Sequence, residues 1–122
     1  FREEVSQLDG VVFVSPEYNR SVPAVLKNAL DVGSRPYGHS AWNNKPGLVV
    51  TASPGGIGGF GANHHLRQSL VFLNVPTLQQ PEAYIGNIAN LVNEEGQIVE
   101  GTLSFFQTIL DAYLDFLNKL SN

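Results

Sequence analysis

The sequence predicts an α/β domain built on a parallel sheet, and three observations carry that prediction. Val11-Val-Phe-Val14 and Leu48-Val-Val-Thr51 are short runs that are apolar at nearly every position, the pattern of strands covered by helices on both faces. Segments with helical spacing of apolar residues alternate with these runs, giving the order β, α, β, α, β, α that joins parallel strands through right-handed crossovers. The two strands run into distinctive loops, Ser15 to Arg20 and Ser53 to Gly61, at the carboxyl ends where open α/β sheets hold ligands.

Phe1 to Leu8 reads as the tail of a helix, and Asp9-Gly10 turns into the first strand at Val11. A helix over about Val22 to Val32 follows, with Val22, Val25, Leu26, Ala29 and Leu30 on its apolar face and a stop near Gly33. Ser21 is placed to cap that helix, and Pro23 falls in its first turn, where the missing N–H has no partner to lose. Ser34 to Asn44 is loop, and Lys45-Pro46-Gly47 leads into the second strand. A helix is expected over about Ala62 to Leu73, a third short strand at Val75 to Leu78, and irregular chain from Gln79 to Gly101, with Gly86, Asn87 and Asn93 to Gly96 as turn signals. The last helix starts near Thr102. Leu103, Phe106, Leu110, Tyr113, Leu117 and Leu120 recur in it at spacings of three and four, an amphipathic stripe suited to covering one sheet face.

At 122 residues the chain fits one domain or part of one. Eleven acidic and seven basic residues give a net charge of −4 without a basic run, which argues against a nucleic-acid partner. The absence of cysteine removes disulfides, thiolate nucleophiles and sulfur-ligated zinc, as suits a cytoplasmic protein. Redox chemistry would therefore need a cofactor. No apolar run approaches the roughly 20 residues that span a bilayer, so no membrane partner is expected.

Pro16-Glu17-Tyr18-Asn19 offers rigid backbone donors, an aromatic ring, a carboxylate and an amide within four residues, a set able to hold a flat heteroaromatic ring by its face and edge. The same loop also suits a plain turn whose Pro and Asn set geometry. Gly56-Ile-Gly58-Gly59-Phe60-Gly61 satisfies G-x-G-x-x-G between a strand and a helix, with Glu82 at about the distance of a ribose-binding acid. The 40 residues after Glu82 contain no clear further strand, however, so the second half of a dinucleotide-binding domain has no material. His64 and His65 are about 100° apart on their helix and unsuited to sharing a metal, and His39 has no matching carboxylates, so no metal site is expected. No G-x-S-x-G elbow surrounds Ser34 or Ser53.

The stretch Ser15-Pro-Glu-Tyr-Asn-Arg-Ser-Val-Pro-Ala-Val-Leu-Lys-Asn28, together with Leu66-Arg-Gln68 and Lys45-Pro46, resembles the NADPH-dependent FMN reductases, a flavodoxin-like family that includes bacterial quinone and chromate reductases. The resemblance implies a three-layer α/β/α fold with a parallel sheet in the order 2-1-3-4-5, of which this chain would supply strands three, four and five. The family's serine-rich, arginine-bearing phosphate loop after its first strand has no counterpart here. Residues 1–122 are thus expected to be the C-terminal part of a single FMN-binding domain of a longer protein. The implied activity passes electrons from NADPH or NADH through bound FMN to a quinone, flavin or similar acceptor. Pro16, Glu17, Tyr18 and Asn19 would lie against the flavin ring, and Ala52, Ser53, Gly55 and Gly56 at its other edge, with no catalytic side chain. Arg67 and Glu82 match family positions and suggest a subunit contact or an internal ion pair, and the family implies a homodimer or homotetramer. A flavodoxin-like electron carrier and a nicotinamide-binding dehydrogenase are the alternatives.

Overall fold

The computed structural model describes residues 1–121. Its elements are α1 (Arg2–Ser6), β1 (Val11–Pro16), α2 (Ala24–Gly33), β2 (Gly47–Ala52), α3 (Phe60–Phe72), β3 (Tyr84–Ile85), a 3-10 turn (Ile88–Asn90) and α4 (Glu100–Leu120). The three strands form a parallel sheet in the order β1-β2-β3.

Alternation along β2 divides the core. Val49 packs with Val5, Phe13, Leu30, Trp42, Leu66 and Leu70 on the side of α1, α2 and α3. Leu48 packs with Leu78, Ala83, Ile109 and Tyr113 on the side of α4. Helices therefore cover both faces of β2, as its continuous apolar run predicts. Trp42 is held within the first cluster by donating Nε1–H to Leu30 O at 3.0 Å. In the second, Tyr113 donates to Pro46 O at 2.9 Å, tying α4 to the loop before β2.

β1 departs from the expectation of burial on both faces. Phe13 and Ser15 are buried, but Val12 and Val14 point to the other face, and Val14 is 69 % exposed. The α4 cluster contains residues of β2 and of the 78–83 segment and none of β1. An apolar trough of about 390 Å³ is left beside β1, lined by residues that include Val12, Val14, Val50, Leu91, Phe106 and Leu110.

The expected strand at Val75 to Leu78 is not a strand. Only Thr77 makes a bridge, to Gly47, within an irregular segment. Gly47 N–H donates to Pro76 O at 2.8 Å and Leu78 N–H to Gly47 O at 2.9 Å. Pro76 has no N–H to continue a ladder. The chain leaves the sheet and rejoins it at Ala83, whose carbonyl accepts from Thr51 N–H at 3.1 Å, and the regular third strand is Tyr84–Ile85.

Helix boundaries also shift. α2 begins at Ala24 with Pro23, which has no capping side chain, as its N-cap; Ser21 lies two residues before that position and its hydroxyl is engaged with His65 Nδ1 at 2.8 Å. Val25 is 84 % exposed; it lies about 100° from Leu26, on which the inward face of 22, 26, 30 and 33 is centred. α3 starts two residues before Ala62 and α4 two before Thr102. In α4 the inward stripe is Phe106, Ile109, Tyr113 and Phe116, whereas Leu103, Leu110 and Leu120 are exposed.

Candidate functional site

The register of the first strand pair opposes Ser15 to Thr51 and Pro16 to Ala52. The loops that follow, 17–23 and 53–59, consequently leave the sheet side by side at its carboxyl edge. All eight residues expected to line the site fall there: Pro16 and Ala52 at the strand ends, Glu17, Tyr18 and Asn19 in one loop, Ser53, Gly55 and Gly56 in the other.

The first loop is a tight turn. Tyr18 and Ser21 exchange backbone hydrogen bonds at 3.1 and 3.0 Å. Asn19 and Arg20 between them both adopt the left-handed conformation, φ 52° and 68°, the arrangement of a two-residue type I′ connection. Asn tolerates that conformation well, so Asn19 has a backbone role independent of any ligand. The Tyr18 side chain projects outward and is 61 % exposed.

Glu17 is committed elsewhere in the protein. Its Oε2 accepts from Ala62 N–H at 2.9 Å, at the start of α3. α3 has Gly59 as N-cap without a side-chain cap and no acidic residue in its first turn, so Glu17 supplies the anion that the helix N-terminus favours. This bond staples the two loops together. It also fills the place where a dinucleotide pyrophosphate would sit in a glycine-rich loop, which removes the physical basis for that alternative.

The backbone of the second loop is held at Ser53, Gly55 and Gly58. Ser53 N–H donates to Ile85 O at 2.9 Å, Asn87 N–H to Gly55 O at 2.9 Å, and Ile88 N–H to Ser53 O at 3.3 Å. Gly58 and Gly59 are buried with positive φ, and a Cβ on either would come within 2.6 and 2.8 Å of Tyr84 and Thr51 respectively. Gly55 and Gly56 are different. Neither has a positive φ, a Cβ at Gly55 would meet nothing within 4 Å, and one at Gly56 would meet only Asn87 Nδ2 at 3.9 Å. Nothing in the described chain requires glycine at these two exposed positions.

Beside the loop stands a cluster that composition and spacing do not single out. Tyr84 Oη donates to Glu82 Oε2, and having spent its one proton it accepts from His64 Nε2 at 2.6 Å, which places the imidazole proton on Nε2. Phe60 packs against both rings at a tilt, with centroids 4.3 Å from His64 and 5.2 Å from Tyr84. Burial, and then the bond to Glu82, raises the Tyr84 phenol to about 12. The same bond lowers Glu82. Of the two alternatives for Arg67 and Glu82, the internal ion pair is not formed: Arg67 donates Nε–H to Asn63 Oδ1 at 2.7 Å and Nη1–H to Leu78 O at 3.3 Å. Lys27–Asp31 is the one ion pair among the described residues. The described residues also contain no group of three His, Asp or Glu able to hold a metal ion, and no helix long and apolar enough to cross a membrane.

The family model "NADPH-dependent FMN reductase" matches residues 1–90. A quinone reductase of Pseudomonas putida is 57 % identical over 96 % of this chain and 63 % of its own length. A 2-hydroxy-1,4-benzoquinone reductase of a Burkholderia species is 44 % identical over 93 % of this chain and 62 % of its own. Among solved structures, FerB of Paracoccus denitrificans, a flavoenzyme NAD(P)H:(acceptor) oxidoreductase, superposes with a TM-score of 0.89 at 37 % identity, covering 97 % of this chain and 65 % of that one. The chain thus spans slightly under two thirds of the length of these relatives. With sequence, sheet and loop placement in agreement, the chain belongs to the NADPH-dependent FMN reductase family.

Proposed function

We propose that this chain forms the ring-binding half of an FMN site in an NAD(P)H-dependent quinone reductase, with Pro16, Glu17, Tyr18, Asn19, Ala52, Ser53, Gly55 and Gly56 around the flavin. The observation that carries this reading is the pair of stapled loops at the carboxyl edge of β1 and β2, one of which keeps two glycines that its own packing does not need. A flat ring lying on the backbone would need them, because a Cβ at either position would stand between the ring and the N–H groups that hold it. Tyr18 presents an exposed aromatic face next to that backbone.

When bound, FMN supplies the redox chemistry, taking a hydride from NADPH or NADH and passing two electrons to a small acceptor, a quinone above all. The chain's own residues bind and orient. The Asn19-Arg20 turn fixes the direction of the Tyr18 ring, Glu17 holds the first loop against α3, and the backbone of 53–56 offers polar groups in a fixed arrangement. No side chain at the site is required as an acid, base or nucleophile. The flavin phosphate, as the family resemblance implies, would be held by a loop that has no counterpart among these residues. A homodimer or homotetramer acting in the cytoplasm completes the proposal.

FMN titration followed by flavin fluorescence, with NADPH oxidation in the presence of benzoquinone, tests the reading. Saturable binding that the double substitution Tyr18→Ala, Asn19→Ala weakens without unfolding the chain is the expected result. An FMN dissociation constant unchanged by the pair would overturn the site.

A further inference from the structure

The glycine loop is anchored from below by a chain of hydrogen bonds that runs in one direction, from the part-buried Arg67 into the core. Arg67 Nε–H donates to Asn63 Oδ1 at 2.7 Å, Asn63 Nδ2–H to Thr51 Oγ1 at 3.3 Å, and Thr51 Oγ1–H to Gly58 O at 2.8 Å. Thr51 and Asn63 are both completely buried, and among the described residues no buried side-chain nitrogen or oxygen lacks a partner. We propose that Thr51, Asn63 and Arg67 are positioning residues for the ligand-facing backbone of loop 53–59, setting the orientation of the Gly58 peptide from the core side of the sheet.

Three features support this. Each link donates toward the loop, so the guanidinium charge polarises the Asn63 amide, then the Thr51 hydroxyl, then the carbonyl, in the sense that strengthens successive hydrogen bonds. The hydroxyl has one proton, and its place on Gly58 O fixes that carbonyl inward. In a planar trans peptide the following N–H, that of Gly59, is then directed the opposite way. The left-handed backbone at Gly58 and Gly59 brings the loop within contact of Thr51, where a Cβ on Gly59 would stand 2.8 Å from Thr51 Cβ. No closer packing is available to replace the hydrogen bond. Finally, Asn63 N–H donates to Gly59 O at 2.9 Å, the first backbone bond of α3, while its side chain reaches the Gly58 carbonyl through Thr51.

An apolar pair in place of Thr51 and Asn63 would leave the Gly58 carbonyl and the Arg67 Nε–H without partners, so the polar pair both stabilises the loop and sets its orientation. The inference rests on the flavin reading for the purpose of the loop, but its physical content is separable, and the test separates them.

Thr51→Val removes the hydroxyl at nearly constant volume, Thr51→Ser restores it, and Arg67→Gln weakens the chain from its half-exposed end. Hydrogen exchange of residues 58–63 is measured against residues 66–70 in the middle of α3, on the chain without ligand, and FMN affinity and the bound-flavin absorption spectrum on the same samples. Thr51→Val is expected to speed exchange at 58–63 by about tenfold relative to 66–70, the effect of a buried carbonyl losing its donor, and to weaken FMN by about fivefold with a shifted spectrum. Thr51→Ser is expected to stay near wild type, and Arg67→Gln to give about a threefold rise at the same amides, which decides the matter if Thr51→Val does not fold. Exchange rates unchanged in both Thr51→Val and Arg67→Gln would overturn the positioning role. Faster exchange with unchanged FMN affinity and spectrum would overturn its connection to the ligand. A wild-type chain that binds no FMN would refute the flavin reading, while the exchange data would still decide whether the three residues hold the loop.

Discussion

Glu17 is the residue for which sequence and structure suggest different work, and its substitution distinguishes them. As a ring contact, its loss would weaken FMN and leave the ligand-free chain as stable as before. As the acceptor for Ala62 N–H at 2.9 Å, it caps α3 from outside the helix, and its loss should be felt without any ligand. Glu17→Ala removes both the acceptor and the charge. A lost cap costs about 0.5–2 kcal/mol, and a carboxylate near a helix N-terminus contributes about 0.3–1 kcal/mol. These overlap, since one oxygen supplies both, and the partial exposure of Glu17 keeps the sum near the middle of the range. An expected loss of about 1–2 kcal/mol corresponds to roughly 4–10 °C in Tm for a chain of this size. Glu17→Gln keeps a carbonyl to accept from Ala62 and loses only the charge, so its expected loss is about 0.3–1 kcal/mol. Urea and thermal melts of the ligand-free chain measure both. If neither variant loses more than about 0.3 kcal/mol, the staple between the loops does not hold them, and the preorganisation argued for the site fails with it.

Three further outcomes follow from the same geometry. Gly10→Ala would place a Cβ 2.4 Å from Tyr113 Oη and 3.0 Å from Pro46 O; breaking the Tyr113 bond to Pro46 is expected to lower stability by about 1–3 kcal/mol, read from the urea midpoint, and a neutral effect would show that α4 is not fastened there. Gly55→Ala should leave the melting temperature of the ligand-free chain within about 2 °C of wild type yet reduce FMN affinity, whereas Gly58→Ala should destabilise the chain itself through its contact with Tyr84; equal effects of the two on stability would remove the distinction between ligand-required and fold-required glycines. A phenol whose pKa is raised on folding stabilises the fold below its unfolded value and loses that contribution as pH climbs through the folded one. With Tyr84 raised from 10.0 to about 12, by burial first and the bond to Glu82 second, stability should fall across that interval and Tyr84→Phe should fall less steeply in urea midpoints taken along it; parallel curves would refute the raised phenol.

The fold was legible where local pattern and tertiary environment agree. The apolar run at Leu48 to Thr51 predicts a doubly covered strand, and β2 is one. The equally apolar Val11 to Val14 predicts the same and is half right, because pattern reports what a residue prefers and not which neighbour reaches it. α4 covers β2 and stops short of Val12 and Val14. The misplaced third strand has a simpler cause. Val75, Leu78 and the β-branched Thr77 favour extended chain, but Pro76 interrupts the donors, and pairing resumes at Ala83 and Tyr84, inside a stretch whose flanking Gly and Asn signal turns. The loops of the site were visible as motifs, yet the internal duties of Glu17 and Asn19 were not, since a carboxylate or amide reads the same whether it faces a ligand or a helix end. Thr51 and Asn63 left a fainter trace: a hydroxyl closing an apolar strand, and an amide at the i−3 position to Leu66 on the buried side of α3.

That trace bears on how the proposed site, in which no side chain is assigned a catalytic role, is encoded. Where a cofactor carries the reaction, the protein is selected for where it holds backbone atoms, and backbone position is written indirectly: in residues that can adopt left-handed φ, such as Asn19, Gly58 and Gly59, in a carboxylate that reaches a neighbouring helix, and in buried polar groups that grip a carbonyl from behind. Each of these residues also contributes to folding, so stability and binding are coupled through the same bonds. Gly55 and Gly56 are the exception, because a Cβ at Gly55 would meet nothing within 4 Å and one at Gly56 only Asn87 Nδ2 at 3.9 Å. Positions that the fold leaves unconstrained, flanked by positions it constrains tightly, are where the proposed ligand would fit.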